Sequence, residues 1–368
     1  MTPGILKSRH ALIATGLILS IGFFAASRKS IESAKSSGDP DLNSRAEKQR
    51  GVSWVGGRHP GDSADFEALV ASNVNWIVQT PFGWQSDYDS PEFQMKTGGG
   101  VLWGETDQGI RHTTLLARKR GIKTMLKPHI WLRNRHDGKW RSDIEMHSEK
   151  DWQSWFAHYR QFIVHYAMLA DTLGIEALCI GTELHQTTRQ RENDWREIIK
   201  AVREVYNGKL IYAANWYKEF EEIKFWDALD YIGIQAYFPL TSEENPEVED
   251  LIKGWDTHLK KIEKLHKQTG KPVAFTEVGY RSMSDAAIEP WKWPERGAEQ
   301  NASNLDLRTQ KNCYQALFQT FWDKPWFAGC YIWKWFPNSG RGDGAKGFSP
   351  QNKPAQVVLA EWYGLAIF

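Results

Sequence analysis

Eight short apolar runs, each followed by a stretch with helical spacing, succeed one another from residue 51 to the C-terminal end, with no linker between them. The apolar runs cover 51–56, 74–80, 122–131, 175–183, 209–216, 229–238, 272–279 and 327–336. Helical spacing covers 62–72, 107–120, 148–172, 194–206, 220–228, 247–269, 304–322 and 354–363. In 148–172, Trp152, Phe156, Tyr159, Ile163 and Tyr166 recur on one face behind the capping residue Ser148. Leu251, Trp255, Leu259 and Ile262 do the same in 247–269. Apolar strands joined through helices pair in parallel with both faces covered. Eight such units in one chain predict an α/β fold of the (β/α)8 TIM-barrel type, occupying 51–368.

The connections are asymmetric. Helix-to-strand joints are minimal: Gly121, Leu173-Gly174, Asn207-Gly208 and Gly270-Lys271. Strand-to-helix loops are long, at 81–106, 132–147, 280–303 and 337–353. Elaboration is therefore confined to the end where the strands finish, which is the functional face of such a barrel.

Two strands end in the same way. The run 175–183 closes on Thr182-Glu183, and 272–279 carries Thr276-Glu277. By simple alternation Val273, Phe275 and Glu277 share a face. An ionised carboxylate at the end of an apolar run is unfavourable unless it is paired or used. The other strand ends supply Trp54, Trp84 (just past the second strand), Lys127, His129, Trp131, Asn215, Trp216, Tyr237, Trp333 and Trp335. Flat rings stack on pyranose faces, while amide, imidazole and ammonium groups hydrogen-bond hydroxyls. Two carboxyl groups, one protonated and one ionised, are what hydrolysis of a glycosidic bond requires. Trp333 and Trp335 share parity on the last strand, and Trp335, nearer its end, is the expected platform beneath the sugar.

Composition narrows the partners. A net charge of +1 gives no field for nucleic acid. The 19 Trp are unusual: a large core accounts for many of them, but not for why so many fall at strand ends. Three Cys without close spacing argue against a disulfide framework or a zinc site, and neither a metal nor a cofactor is expected. His129 has no second ligand at metal spacing. The glycine-rich run 340–347 lacks the Gly-Lys-Ser/Thr ending of a phosphate cradle. At the N-terminus, Lys7, Arg9 and His10 precede an apolar run over 11–26. Residues 1–30 therefore read as a signal peptide or an N-terminal membrane anchor, and 31–50 as a polar tether. The expected location is outside the cytoplasm: periplasmic, extracellular or anchored. A monomer is expected.

The motifs Gly181-Thr182-Glu183-Leu184, Thr276-Glu277-Val278-Gly279-Tyr280, Tyr331-Ile332-Trp333-Lys334-Trp335 and Phe348-Ser349-Pro350, in this order and placement, resemble the clan A glycoside hydrolases. Within the clan the chain is most similar to family 113, known for endo-β-1,4-mannanase activity. The resemblance spans about 51–365 and implies a retaining β-glycoside hydrolase acting on a polysaccharide or oligosaccharide. It implies Glu183 as acid/base, Glu277 as nucleophile, and Tyr237 as the hydroxyl that holds Glu277 ionised. One position departs from the clan pattern. Thr182 stands where most clan A families place an Asn that binds the sugar 2-hydroxyl. Two other functions use the same inventory: a non-catalytic carbohydrate-binding barrel, and a transglycosylase.

Overall fold

The expected parallel strands close on themselves. The computed structural model describes residues 47–95, 100–134, 138–293, 304–337 and 342–365. Its strands are β1 (Gln49–Trp54), β2 (Trp76–Gln79), β3 (Phe82–Gln85), β4 (Phe93–Met95), β5 (Lys123–Leu126), β6 (His129–Leu132), β7 (Ala177–Thr182), β8 (Lys209–Asn215), β9 (Tyr231–Gln235), β10 (Val273–Val278) and β11 (Phe327–Trp335). Eight of them form a closed barrel in the order β1-β11-β10-β9-β8-β7-β5-β2, with parallel pairing throughout. The fold is a (β/α)8 TIM barrel.

Alternation along the strands divides the core in two. Val78, Met125, Cys179, Ile211, Ala274 and Tyr331 fill the barrel interior. Val52, Ile77, Leu178, Ile234, Phe275 and Ile332 face the surrounding helices. The helix Glu149–Leu173 shows how the outer layer is built. Ser148 caps it by accepting from the Asp151 amide at 3.1 Å, and Gly174 ends it at φ 59°, where a Cβ would be strained. Its buried face carries Trp152, Trp155, Phe156, Tyr159, Ile163 and Tyr166. All three cysteines are free and buried.

The structure corrects two boundaries. The run 122–131, expected as one strand, breaks at Lys127-Pro128. Its first part is β5 in the barrel, and its second, β6, leaves to pair with β3. Pro128 has no amide proton for a continuous ladder. The resulting small sheet, β4-β3-β6, stands on the barrel rim. The tether also ends earlier than 50, because β1 starts at Gln49 and Lys48 is already buried. The rest of the proposed N-terminal segments, 1–46, lies outside the described residues. Among the described residues no helix is long and apolar enough to cross a membrane.

Candidate active site

Glu277 reaches the barrel mouth through an irregularity. Phe275 faces the helices, so plain alternation would send Glu277 outward as well. β10 instead carries a bulge. Phe275 pairs with Ile234, and Glu277 with the very next residue, Gln235. One extra residue re-aims the side chains that follow, so Val278 returns to the helix layer and Glu277 turns inward. There Lys127 donates to Glu277 Oε1 at 2.6 Å and Tyr237 donates to Oε2 at 2.9 Å. Both partners are buried, and the Glu277 side chain keeps 7% of its exposure. Glu277 is thus engaged as a carboxylate accepting on both oxygens.

Lys127 was expected to contact substrate. Its ammonium is fully buried and also donates to the Thr276 carbonyl at 3.0 Å and to Gln235 Oε1 at 3.4 Å. With three donors directed at protein acceptors, it orients Glu277 rather than a sugar.

Glu183 sits one residue past β7, at φ 54°. A non-glycine residue in this region is uncommon and strained. It accepts from Trp140 Nε1 at 3.3 Å and lies 3.9 Å from Arg141 Nε. Burial raises its pKa above the ordinary carboxylate value and the negative charge of Glu277 adds to this, while Arg141 opposes it. Arg141 also donates to His129 Nδ1 at 2.7 Å. His129 must then carry its proton on Nε2, which is buried, has no hydrogen-bond partner among the described residues, and lies 3.9 Å from Glu277 Oε1. Burial, with Arg141 and Lys127 alongside, pushes the His129 pKa well down, so the ring is neutral.

The rim sheet brings Trp84 and Trp131 together (6.3 Å between ring centroids), and Trp131 meets Trp140 edge-on at 5.7 Å. These half-buried rings wall the Glu183 side. Just past β8 the half-buried Trp216 stacks on Trp291 at 5.0 Å, and Trp293 meets Trp333 of β11 edge-on at 6.4 Å. Asn215, half-buried at the end of β8, accepts from the Tyr217 amide at 2.9 Å.

Two expected sugar contacts belong to the core instead. Trp335 is fully buried among the helix-facing residues, whereas Trp333 is partly exposed. The reason is a second bulge. Val52 and Trp54 of β1 pair with Ile332 and Trp335, so three steps on β11 match two on β1. The shared parity of Trp333 and Trp335 is thereby broken. Trp54 has the parity of Val52 and stacks on Phe66 at 4.7 Å.

Reading strand ends missed Trp140, Arg141, Trp291 and Trp293. Trp140, Arg141, Trp291 and Trp293 lie in loops whose length marked them as functional, but nothing in those loops singles out a residue. In the run 340–347, the described part is fastened by Asp343, which accepts from the Phe348 amide at 2.8 Å.

The sequence matches Glycoside Hydrolase Family 113 over residues 56–348. A comparison with curated proteins found no match. Among solved structures, the family 113 β-mannanase AaManA from Alicyclobacillus acidocaldarius, in complex with ManMIm, has a TM-score of 0.72 and 28% identity, covering 86% of this chain and 97% of its own. A second family 113 β-1,4-mannanase gives 0.71 and 27%, covering 86% and 99%. A β-glucuronidase from Ruminococcus gnavus, at 0.56 and 15%, covers 86% of this chain and 50% of its own, and shares the fold alone. Barrel, paired carboxyl groups and family match agree: this chain belongs to Glycoside Hydrolase Family 113 and is a glycoside hydrolase.

Proposed function

We propose that the protein is a retaining β-mannanase that cleaves β-1,4-linked mannan by double displacement. The observation that carries this reading is the contrast between its two buried carboxyl groups. Glu277 is gripped by an ammonium and a phenol, while burial and the negative charge of Glu277 favour the protonated form of Glu183 against Arg141. Environments that differ in this way assign an acid and a nucleophile. Glu277 Oε attacks the anomeric carbon as Glu183 passes its proton to the glycosidic oxygen, which leaves as an alcohol. Glu183, now a carboxylate, takes a proton from water. That water attacks the anomeric carbon, and the bond to Glu277 breaks with its electron pair returning to the carboxylate. The His129 Nε2 proton, unclaimed among the described residues and beside Glu277, is a donor for a sugar hydroxyl at the cleaved residue. It supplies a contact that Thr182 does not, since Thr182 is buried and lies 3.8 Å from Cys179 Sγ. Trp333 is the stacking surface. Mannan as substrate rests on the similar β-mannanases.

The test compares two variants. Glu277→Ala should be inactive on every substrate. Glu183→Ala should retain activity on aryl β-mannosides with good leaving groups, and azide should restore turnover with a mannosyl azide as product. Equal loss on all leaving groups, or inversion at the anomeric carbon, would overturn the assignment. From the basic and apolar residues at 7–26 we also propose export, which cell fractionation tests.

A further inference from the structure

We propose that Glu219 is a positioning residue that locks the general-acid segment by tying the exit of β7 to the exit of β8. It rests on the role of Glu183 proposed above. Glu219 is a third carboxyl group on this face and is fully buried. Its Oε2 accepts from the Asn215 amide at 2.7 Å, which holds the end of β8. Its Oε1 accepts from the Tyr212 hydroxyl at 2.7 Å, and that hydroxyl in turn accepts from the Leu184 amide at 2.8 Å. Leu184 directly follows Glu183. Turned by the left-handed step at Glu183, its N–H finds its acceptor in a side chain. Thr188, one turn further on, reaches the same Oε1 at 3.1 Å. One carboxyl group therefore grips 184 and 188 from one side and 215 from the other.

The Thr188 hydroxyl has one proton and also lies 3.0 Å from the His185 carbonyl. That proton is shared between the His185 carbonyl and Glu219 Oε1, so the Thr188 link is weaker than the one from Tyr212. Burial, with Glu183 adding, pushes the Glu219 carboxyl up to about 8, so the protonated form dominates at neutral pH. Tyr212 stays a phenol, because burial and Glu219 drive its pKa well up. A neutral hub fixes Glu183 without placing another full charge beside it. Arg141, Lys127, Trp140 and Glu277 remain the groups that set its proton affinity.

The geometry predicts a selective defect. Proton donation to a poor leaving group depends on placement, and about 1 Å of error costs on the order of 10²-fold. Tyr212→Phe and Thr188→Val each remove one link, and Glu219→Gln removes the acceptor for Tyr212. On β-1,4-mannan, kcat should fall about 10- to 100-fold with KM within about twofold. On a dinitrophenyl β-mannoside, kcat/KM should change by less than about threefold, since departure needs no proton. Titration of the Glu183 carboxyl by 13C NMR, independent of turnover, should show a shifted midpoint in Tyr212→Phe. Equal losses on both substrates would mean a merely structural role and overturn the proposal, as would unchanged kinetics in all three variants. If the wild-type enzyme cleaves neither substrate, the mannanase reading fails. The NMR titration then decides alone: a shifted Glu183 midpoint upholds the positioning role, and an unshifted one overturns it.

Discussion

Lys127→Met tests how Glu277, the proposed nucleophile, is held. The substitution keeps an unbranched side chain of similar volume and deletes the ammonium. Three contacts disappear: 2.6 Å to Glu277, 3.0 Å to the Thr276 carbonyl and 3.4 Å to Gln235. The ammonium is fully buried and Glu277 nearly so, so water cannot replace it. Breaking a buried ion pair from one side costs about 3–5 kcal/mol, because the remaining charge is left uncompensated. Unfolding entropy of about 2.1 cal/mol/K per residue, over the roughly 320 residues of the folded unit, sets the conversion at about 0.7 kcal/mol per degree. Tm should therefore drop by about 4–7 °C. Catalysis should fall further, by about 10²–10³ in kcat, as for loss of one preorganised electrostatic contact. Scanning calorimetry and mannan hydrolysis measure the two effects. The double variant Lys127→Met/Glu277→Gln has no orphan charge, so it should recover most of the Tm and none of the activity. A single variant with wild-type Tm and kcat would refute the reasoning. A double variant as unstable as the single one would show that lost packing, not lost charge, is responsible.

Other expectations concern proton affinity, stability and chain length. Arg141 holds the Glu183 pKa down against burial, so Arg141→Met should move the alkaline limb of the kcat/KM profile to higher pH; a limb that stays or moves down contradicts this. Glu219 binds its proton more tightly folded than unfolded, up to about 8 against 4.5. Its stabilisation is complete below the unfolded value and is lost as pH rises through about 8. Glu219→Gln should flatten that decline in urea titrations across the window. Trp335→Ala should cost about 3–5 kcal/mol of stability and leave the kcat of folded enzyme unchanged, while Trp333→Ala should lower kcat at near-normal Tm. Trp291, 40% exposed and stacked on Trp216, should matter for extended chains only: Trp291→Ala should raise KM on mannan and leave aryl mannosides unaffected.

The barrel was legible because it depends on repetition. Eight apolar runs, minimal joints on one side and long loops on the other survive errors of a residue or two in any element. Glu183 and Glu277 were legible because an acidic residue closing an apolar run is conspicuous wherever the strand ends. Side-chain direction was less legible. The alternation that sorts Met125 inward and Leu126 outward holds only while each strand stays in register with both neighbours. It misplaced Trp335, and it put Glu277 on the same face as Phe275 when the two point apart. Lys127 was misread for another reason. Whether an ammonium points at a sugar or at a carboxylate depends on β10, some 150 residues away along the chain. Glu219 left no sign in the sequence, since Lys-Glu-Phe-Glu-Glu reads as an ordinary exposed helix start.

These failures of alternation fall at the working end of the barrel. Phe275 to Glu277 on β10, Ile332 to Trp335 on β11 and Cys179 to Thr182 on β7 each hold one more residue than the partner strand they break register with. A regular barrel would close its mouth with the same alternation that fills its interior. Each strand would then offer the site only residues of inward parity. A bulge just before the strand end changes that, because an extra residue re-aims whatever follows while the strand below keeps its packing. Phe275 can thus stay among the helices and Glu277 still face Lys127 and Tyr237. The break after Lys127 extends the same principle. Leaving the barrel at Pro128 lets β6 carry His129 and Trp131 over the rim, where Arg141 fixes the imidazole and Trp140 reaches Glu183. The site is therefore assembled where the strands depart from ideal pairing, and the closed parallel barrel beneath supplies the rigidity that a left-handed Glu183 and a buried Lys127–Glu277 pair require.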